Sequence, residues 1–238
     1  SFDDLGAMEL PSIHDTRLKV FVESSEKLFT EIGNTHLVSS YIIGPFTLAG
    51  HLFGVEKLLT GTFESPDEVD VAIENCVRIL TPYLRELLTT GSHNIVILQP
   101  SARNSIISPS YFERFSAPHI KRMNDIIHSE DTYATLHICG DTNRIIRAMV
   151  ETNADALSID SAVDLEAAKK YTEKKSTLIG SVDTTLLLKG SIKQVREAAQ
   201  DCIAKAANGG GYILSSGCDF AIETPTENLA SLVGTVFI

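Results

Sequence analysis

The sequence lacks the features that send a chain into or across a membrane. No stretch approaches the ~18 apolar residues of a spanning helix, and no basic start leads into an apolar signal core. That reads as a cytoplasmic protein with no membrane contact. Basic residues are in short supply: 20 Lys and Arg stand against 31 Asp and Glu, a net charge of −11. Such a balance argues against a broad nucleic-acid surface, which needs a basic footprint. It also disfavours anionic bilayers, while a basic patch on a protein partner remains a favourable match. Cysteine is scarce as well. Four in 238 residues do not make a disulfide framework, and a reducing compartment fits. There is no low-complexity tract, no strong internal repeat and no Pro/Gly/Ser-rich linker. Residues 1–238 therefore read as one domain, with the 43% hydrophobic and 21% charged content of an ordinary globular chain.

Apolar strand patterns alternate with amphipathic helical ones. Strands are expected at 37–43, 94–98, 133–138, 156–159, 177–179 and 212–214. A long helix is expected over 66–88, where Ile73, Val77, Leu80, Leu84 and Leu87 share a stripe and Pro82 should kink or split it. Shorter helices are expected over 143–151, 165–171 and 191–207, the last with Ser191 as N-cap. Asn208 and Gly209, Gly210 and Gly211 read as the turn between that helix and the last strand. Strand–helix repetition of this kind means a parallel sheet. Six strands do not close a (β/α)8 barrel, so the sheet is either open and doubly wound or lacks two strands.

Two clusters stand out against this background: Leu136-His137-Ile138-Cys139-Gly140, and Ser216-Gly217-Cys218-Asp219. Side chains alternate faces along a strand, so His137 and Cys139 point the same way and can chelate one ion. Cys218 follows the apolar run Tyr212-Ile213-Leu214 and can supply a third ligand. One imidazole and two thiolates suit zinc, and three protein ligands leave a position open, as in catalytic rather than structural sites. The competing reading is a pair of buried free cysteines behaving as small hydrophobes. Both clusters end strand patterns, where ligands gather in parallel α/β folds.

The segments Leu136 to Gly140, Leu157-Ser158-Ile159-Asp160, Leu178 to Asp183, Ser215 to Cys218 and Glu223 to Asn228 resemble the uroporphyrinogen decarboxylase superfamily. Ile43-Gly44-Pro45-Phe46-Thr47-Leu48-Ala49-Gly50-His51 and Gly54-Val55-Glu56-Lys57 add to the likeness, which spans about 37–232 and is nearest the zinc-binding methylcobalamin:coenzyme M methyltransferase branch. The resemblance implies a (β/α)8 TIM-barrel-like fold from which the first two strands are missing, with Ser1 a late start. It implies a zinc-dependent methyltransferase that moves a methyl group from a methylated corrinoid, carried on a corrinoid-binding protein, to a small thiol such as coenzyme M. Zinc would strip the thiol proton, and the thiolate would attack the methyl group on cobalt. Two anionic cysteine ligands keep such a thiolate nucleophilic, whereas a hydrolase prefers a more Lewis-acidic ion.

On this reading His137, Cys139 and Cys218 hold zinc. Asp160 is a candidate fourth ligand in the resting state, or a residue that orients a ligand. His51 faces the corrin-docking mouth or lies on a helix face. Arg103 binds an anionic substrate group or is an exposed loop residue. Asp183 sits at the catalytic rim or caps a turn. Gln99 stands where relatives often carry an acidic residue, which weakens any charge role there. Two alternatives remain. A tetrapyrrole decarboxylase would need no zinc and a cluster of arginines, which this chain instead scatters along helical patterns. A zinc-stabilised module would dock a corrinoid protein without turnover.

Overall fold

A computed structural model describes residues 3–237. Helix α1 (Leu18–Ile32) precedes strand β1 (Ser39–Ile43). Helices α2 (Pro45–Phe53), α3 (Val55–Glu64) and α4 (Pro66–Thr89) lead to β2 (Asn94–Leu98), and α5 (Pro109–Phe115) and α6 (Ala117–His128) to β3 (Tyr133–Ile138). After α7 (Ile146–Val150) come β4 (Ala156–Ile159), α8 (Leu165–Thr172) and β5 (Thr177–Val182). Helices α9 (Thr184–Lys189) and α10 (Ile192–Ala206) precede β6 (Tyr212–Ser216), and α11 (Thr226–Gly234) follows it. All six expected strands form, in one parallel sheet whose spatial order is the chain order. Among the described residues β1 and β6 are each paired on one side only, so the barrel is not closed.

Register divides the sheet into two faces. Ile42, Ile97, Leu136, Leu157, Leu178 and Tyr212 form one row across the strands. The first five are at most 1% exposed and join the helices in the main core. Burying each such side chain stabilises the fold by about 1.5–3 kcal/mol relative to leaving it in water. The alternate row, Ile43, Leu98, His137, Ser158, Ile179 and Ile213, takes the opposite face, where Ile213 is 50% exposed.

Local chemistry accounts for several element ends. Ser191 and Gln194 form a reciprocal capping box on α10, as the N-cap expectation for Ser191 required. Asp164 caps α8 and Ser108 caps α5. Gly209, Gly210 and Gly211 all have positive φ and make the turn into β6. Two expectations are narrowed. Helix α4 is not split at Pro82 but runs unbroken over 24 residues. Val77, Leu80, Tyr83, Leu84 and Leu87 are buried on both sides of the proline, and their summed burial outweighs the roughly 3 kcal/mol an interior proline costs. The helix expected over 143–151 contracts to Ile146–Val150. Asn143 is taken out of it, because its side chain donates to Asp141 and to the Ala162 carbonyl and accepts from the Asp164 amide.

Candidate metal centre

His137 is the penultimate residue of β3 and Cys139 follows the strand directly. Cys218 lies two residues past the end of β6. His137 Nε2 is 3.1 Å from Cys139 Sγ and 3.7 Å from Cys218 Sγ, and the two sulfurs are 3.3 Å apart. The three ligand atoms thus fall within 4.8 Å of one another. A tetrahedral zinc ion, bonded at about 2.3 Å to sulfur and about 2.0–2.1 Å to nitrogen, sets sulfurs about 3.8 Å apart and sulfur and nitrogen about 3.6 Å apart. The triad sits within about half an ångström of that arrangement, so the residues fit the ion.

The imidazole is already oriented for this role. His137 Nδ1 is 3.1 Å from the Ser158 carbonyl and 2.9 Å from Ser158 Oγ. A carbonyl only accepts, so Nδ1 carries the proton and Nε2 presents its lone pair to the sulfurs. Burial lowers the His137 pKa below its ordinary value of 6.5, opposed by the Ser158 bond and by the charges of Asp219 and Asp160. The ring is therefore neutral near neutral pH, the state a metal ligand needs. Burial pushes the Cys139 thiol up to about 12, and its bond to Cys218 and the charges of Cys218 and Asp160 push the same way. A cation placed between the sulfurs would reverse that preference.

Glycines permit the convergence. A Cβ on Gly217 would lie 2.6 Å from the Ser161 amide nitrogen and 3.2 Å from Asp160 backbone atoms. Only a residue without a side chain lets the segment after β6 come down onto the end of β4, and that descent carries Cys218 to the pair on β3. Gly140 has φ +77° and turns the chain away behind Cys139.

The other candidate residues are placed as follows. Asp160 lies outside the ligand cluster. Its Oδ2 accepts from the Gly140 amide at 2.9 Å, and its Oδ1 accepts from the Ala162 amide at 3.1 Å and from Ser161 Oγ at 3.2 Å. It braces the backbone beside Cys139. Asp183 accepts from the Thr185 and Leu186 amides at 2.6 and 3.0 Å, capping α9. His51 is exposed on α2. Arg103 lays its stem against Gly140, where an added Cβ would be 3.0 Å from its Cδ, and its Nε donates to Ser105 Oγ at 3.1 Å. Gln99 is fully buried; it accepts from the Thr47 amide and donates to Ser116 Oγ, which ties the start of α2 to the start of α6. Sequence reasoning assigned nothing to Ser158. No sequence signal pointed to it, because its place beside His137 comes from the pairing of β3 with β4.

A cavity of about 570 Å³ opens onto the triad and is lined by Tyr41, Val96, Leu98, Ser158 and Ser215 along with His137, Cys139 and Cys218. Its size is that of a small-molecule site.

The model of the family described as uroporphyrinogen decarboxylase (URO-D) matches residues 1–237. The chain belongs to the uroporphyrinogen decarboxylase family. Within it, the chain is 26% identical over 234 residues to a protein of Methanosarcina acetivorans named methylcobamide:CoM methyltransferase MtbA, covering 98% of this chain and 67% of that one. The protein of the same name from Methanosarcina mazei is 27% identical, with the same coverage. A uroporphyrinogen decarboxylase of Prochlorococcus marinus is 26% identical over 206 residues, 83% of this chain and 58% of that one. The chain thus spans about two thirds of the length of its methyltransferase relatives. Among solved structures, a methyltransferase from Methanosarcina mazei superposes with a TM-score of 0.88 at 23% identity, over 98% of this chain and 68% of that one. A B12-independent methionine synthase from Shewanella superposes at 0.66 and 15% identity, over 91% of this chain and 66% of that one. These likenesses establish the family's TIM-barrel-like α/β fold for the chain.

Proposed function

We propose that this chain carries the zinc centre of a methyltransferase that moves a methyl group from a methylated corrinoid to a small thiol, with coenzyme M the leading acceptor. The supporting observation is the convergence of His137 Nε2, Cys139 Sγ and Cys218 Sγ in a chain whose relatives include proteins named methylcobamide:CoM methyltransferases. A zinc ion held by these three residues would offer a fourth position at which a thiol is kept as thiolate.

The chain's own residues do the rest. Ser158 holds the His137 ring in the tautomer that exposes Nε2. Asp160 holds the Gly140 amide and so the backbone that carries Cys139. With zinc bound, the two cysteine sulfurs would bring negative charge to the centre and leave the acceptor sulfur electron-rich. Tyr41, Val96 and Leu98 give the cavity an apolar wall that can exclude water from the reacting atoms. A methylated corrinoid would supply the methyl group: the acceptor sulfur would form the new sulfur–carbon bond as the cobalt–carbon bond broke, with the electron pair left on cobalt. The donor is a corrinoid protein docking over the strand ends, in the cytoplasm. On this reading the 238 residues form part of a barrel-type domain, with His51 and Arg103 in reach of substrate or partner at the rim, while Asp183 serves the fold as the cap of α9.

Decarboxylation is the second reading, favoured by family relatives of that name, but it leaves the His–Cys–Cys convergence without a role. The deciding measurement is metal content of the purified protein beside His137→Ala and Cys218→Ser. About one zinc per chain, lost in both well-folded variants, is expected, together with methylcobalamin-dependent alkylation of a thiol. Folded protein that binds no zinc overturns the proposal.

A further inference from the structure

We propose that Cys139 and Cys218 are also an oxidation site. Without a metal between them they join in an intramolecular disulfide, so metal loading and oxidation are alternative states of one centre; the alternation rests on the metal reading above. The sulfurs are 3.3 Å apart, and a disulfide needs about 2.05 Å. The gap to close is therefore little more than an ångström. Neither cysteine lies within a strand, since Cys139 follows β3 and Cys218 follows β6. Torsional adjustment can bring them together without breaking the parallel ladder. Both are part-exposed and line the cavity, which gives a small oxidant access. The other two cysteines are poor competitors, because Cys76 is buried within α4 and Cys202 within α10.

The chemistry balances with a low-molecular-weight disulfide such as oxidised glutathione. One cysteine sulfur, as thiolate, attacks a sulfur of the reagent; the reagent's S–S bond breaks and one reduced thiol leaves. The second cysteine sulfur then attacks the first, the Cys139–Cys218 bond forms, and the second reduced thiol leaves. The protein gives up two electrons and two protons, all recovered in the two thiols released. The product has lost both anionic donors, and His137 alone does not make a zinc site. A metal in place does the reverse: it engages the sulfur lone pairs and holds the sulfurs apart.

The test uses the reduced 238-residue chain, stripped of metal by a chelator and exposed to oxidised glutathione, beside the same protein preloaded with zinc. In the metal-free sample the four free thiols should fall to two. Non-reducing peptide mapping should then find one linked pair, Cys139 with Cys218. The zinc-loaded sample should react at least about tenfold more slowly, and the oxidised protein should take up zinc only after treatment with dithiothreitol. Cys76→Ala and Cys202→Ala should behave as the parent, and Cys139→Ser should stop at a glutathione adduct on Cys218. The idea fails if all four thiols persist, if the parent stops at such an adduct, if Cys76 or Cys202 enters the linkage, or if zinc leaves the rate unchanged. Reduced protein that takes up no zinc refutes the metal centre and the alternation, while the peptide map still decides the disulfide.

Discussion

His137 shows how much of a metal ligand's behaviour is set by a neighbour that never touches the metal. Its Nδ1 bond to Ser158 fixes which nitrogen is free, and that free nitrogen lies 3.1 Å from Cys139 Sγ. Outer partners of this kind typically carry 10–100-fold in metal affinity. Ser158→Ala removes Oγ but leaves the carbonyl, the acceptor that sets the tautomer. We therefore expect a loss of about tenfold in zinc affinity, at the low end of that range, with an unchanged melting temperature, read by competition with a chromophoric chelator. An unchanged affinity would mean that the backbone carbonyl suffices. The type and spacing of His137 and Cys139 were legible in the sequence because strand alternation is local. The part played by Ser158 was not, because it depends on which strand lies beside β3.

At the scale of elements, the centre is assembled by the ends of β3 and β6 and by the glycine between β6 and Cys218. A Gly217 side chain would meet backbone of residues 160 and 161, and backbone cannot swing aside as a flexible side chain can. Gly217→Ala should displace the segment carrying Cys218. We expect zinc affinity to fall by at least about tenfold and stability to drop by about 1–3 kcal/mol from overpacking, measured by chelator competition and urea unfolding. Native affinity in this variant would show that the contact relaxes without moving the ligand. Helix α4 carries the complementary lesson. Its proline suggested a kink or a split; the split does not occur, and apolar residues buried on both sides of Pro82 hold the helix together. A local rule gave way to packing that no local window contains.

For the whole molecule the decisive property is curvature. β3 and β6 are separated by β4 and β5 in the sheet, three steps of about 4.8 Å and so about 14 Å along a flat sheet. Cys139 and Cys218 sulfurs nevertheless lie 3.3 Å apart. The sheet must curl as a barrel wall does, so that the ends of distant strands face one another across its interior. The same curl leaves β1 and β6 with one unpaired edge each among the described residues, and Tyr41 and Ile213 on those strands are about half exposed, at 54% and 50%. Unpaired, apolar edge strands favour association. The 238-residue chain should therefore self-associate with rising concentration in sedimentation velocity, and Ile213→Lys should reduce it. A monodisperse species across the range would show the edges to be protected.

The parallel α/β character, all six strands, the capping of α10 and the identity of the three metal-binding candidates could be read from residue order. Each rests on periodicity, turn chemistry or donor type within a few residues. The sequence pattern could not say whether Asp160 binds a metal or braces a loop, and the fold turns it to the Gly140 amide. Nor could it say whether Asp183 faces a substrate, and the fold gives its carboxylate to α9. Above all, the meeting of Cys218 with His137 and Cys139 belongs to the tertiary structure. It comes from the summed twist and curl of a sheet whose strands are far apart in the chain, and from a close backbone approach that only Gly217 allows.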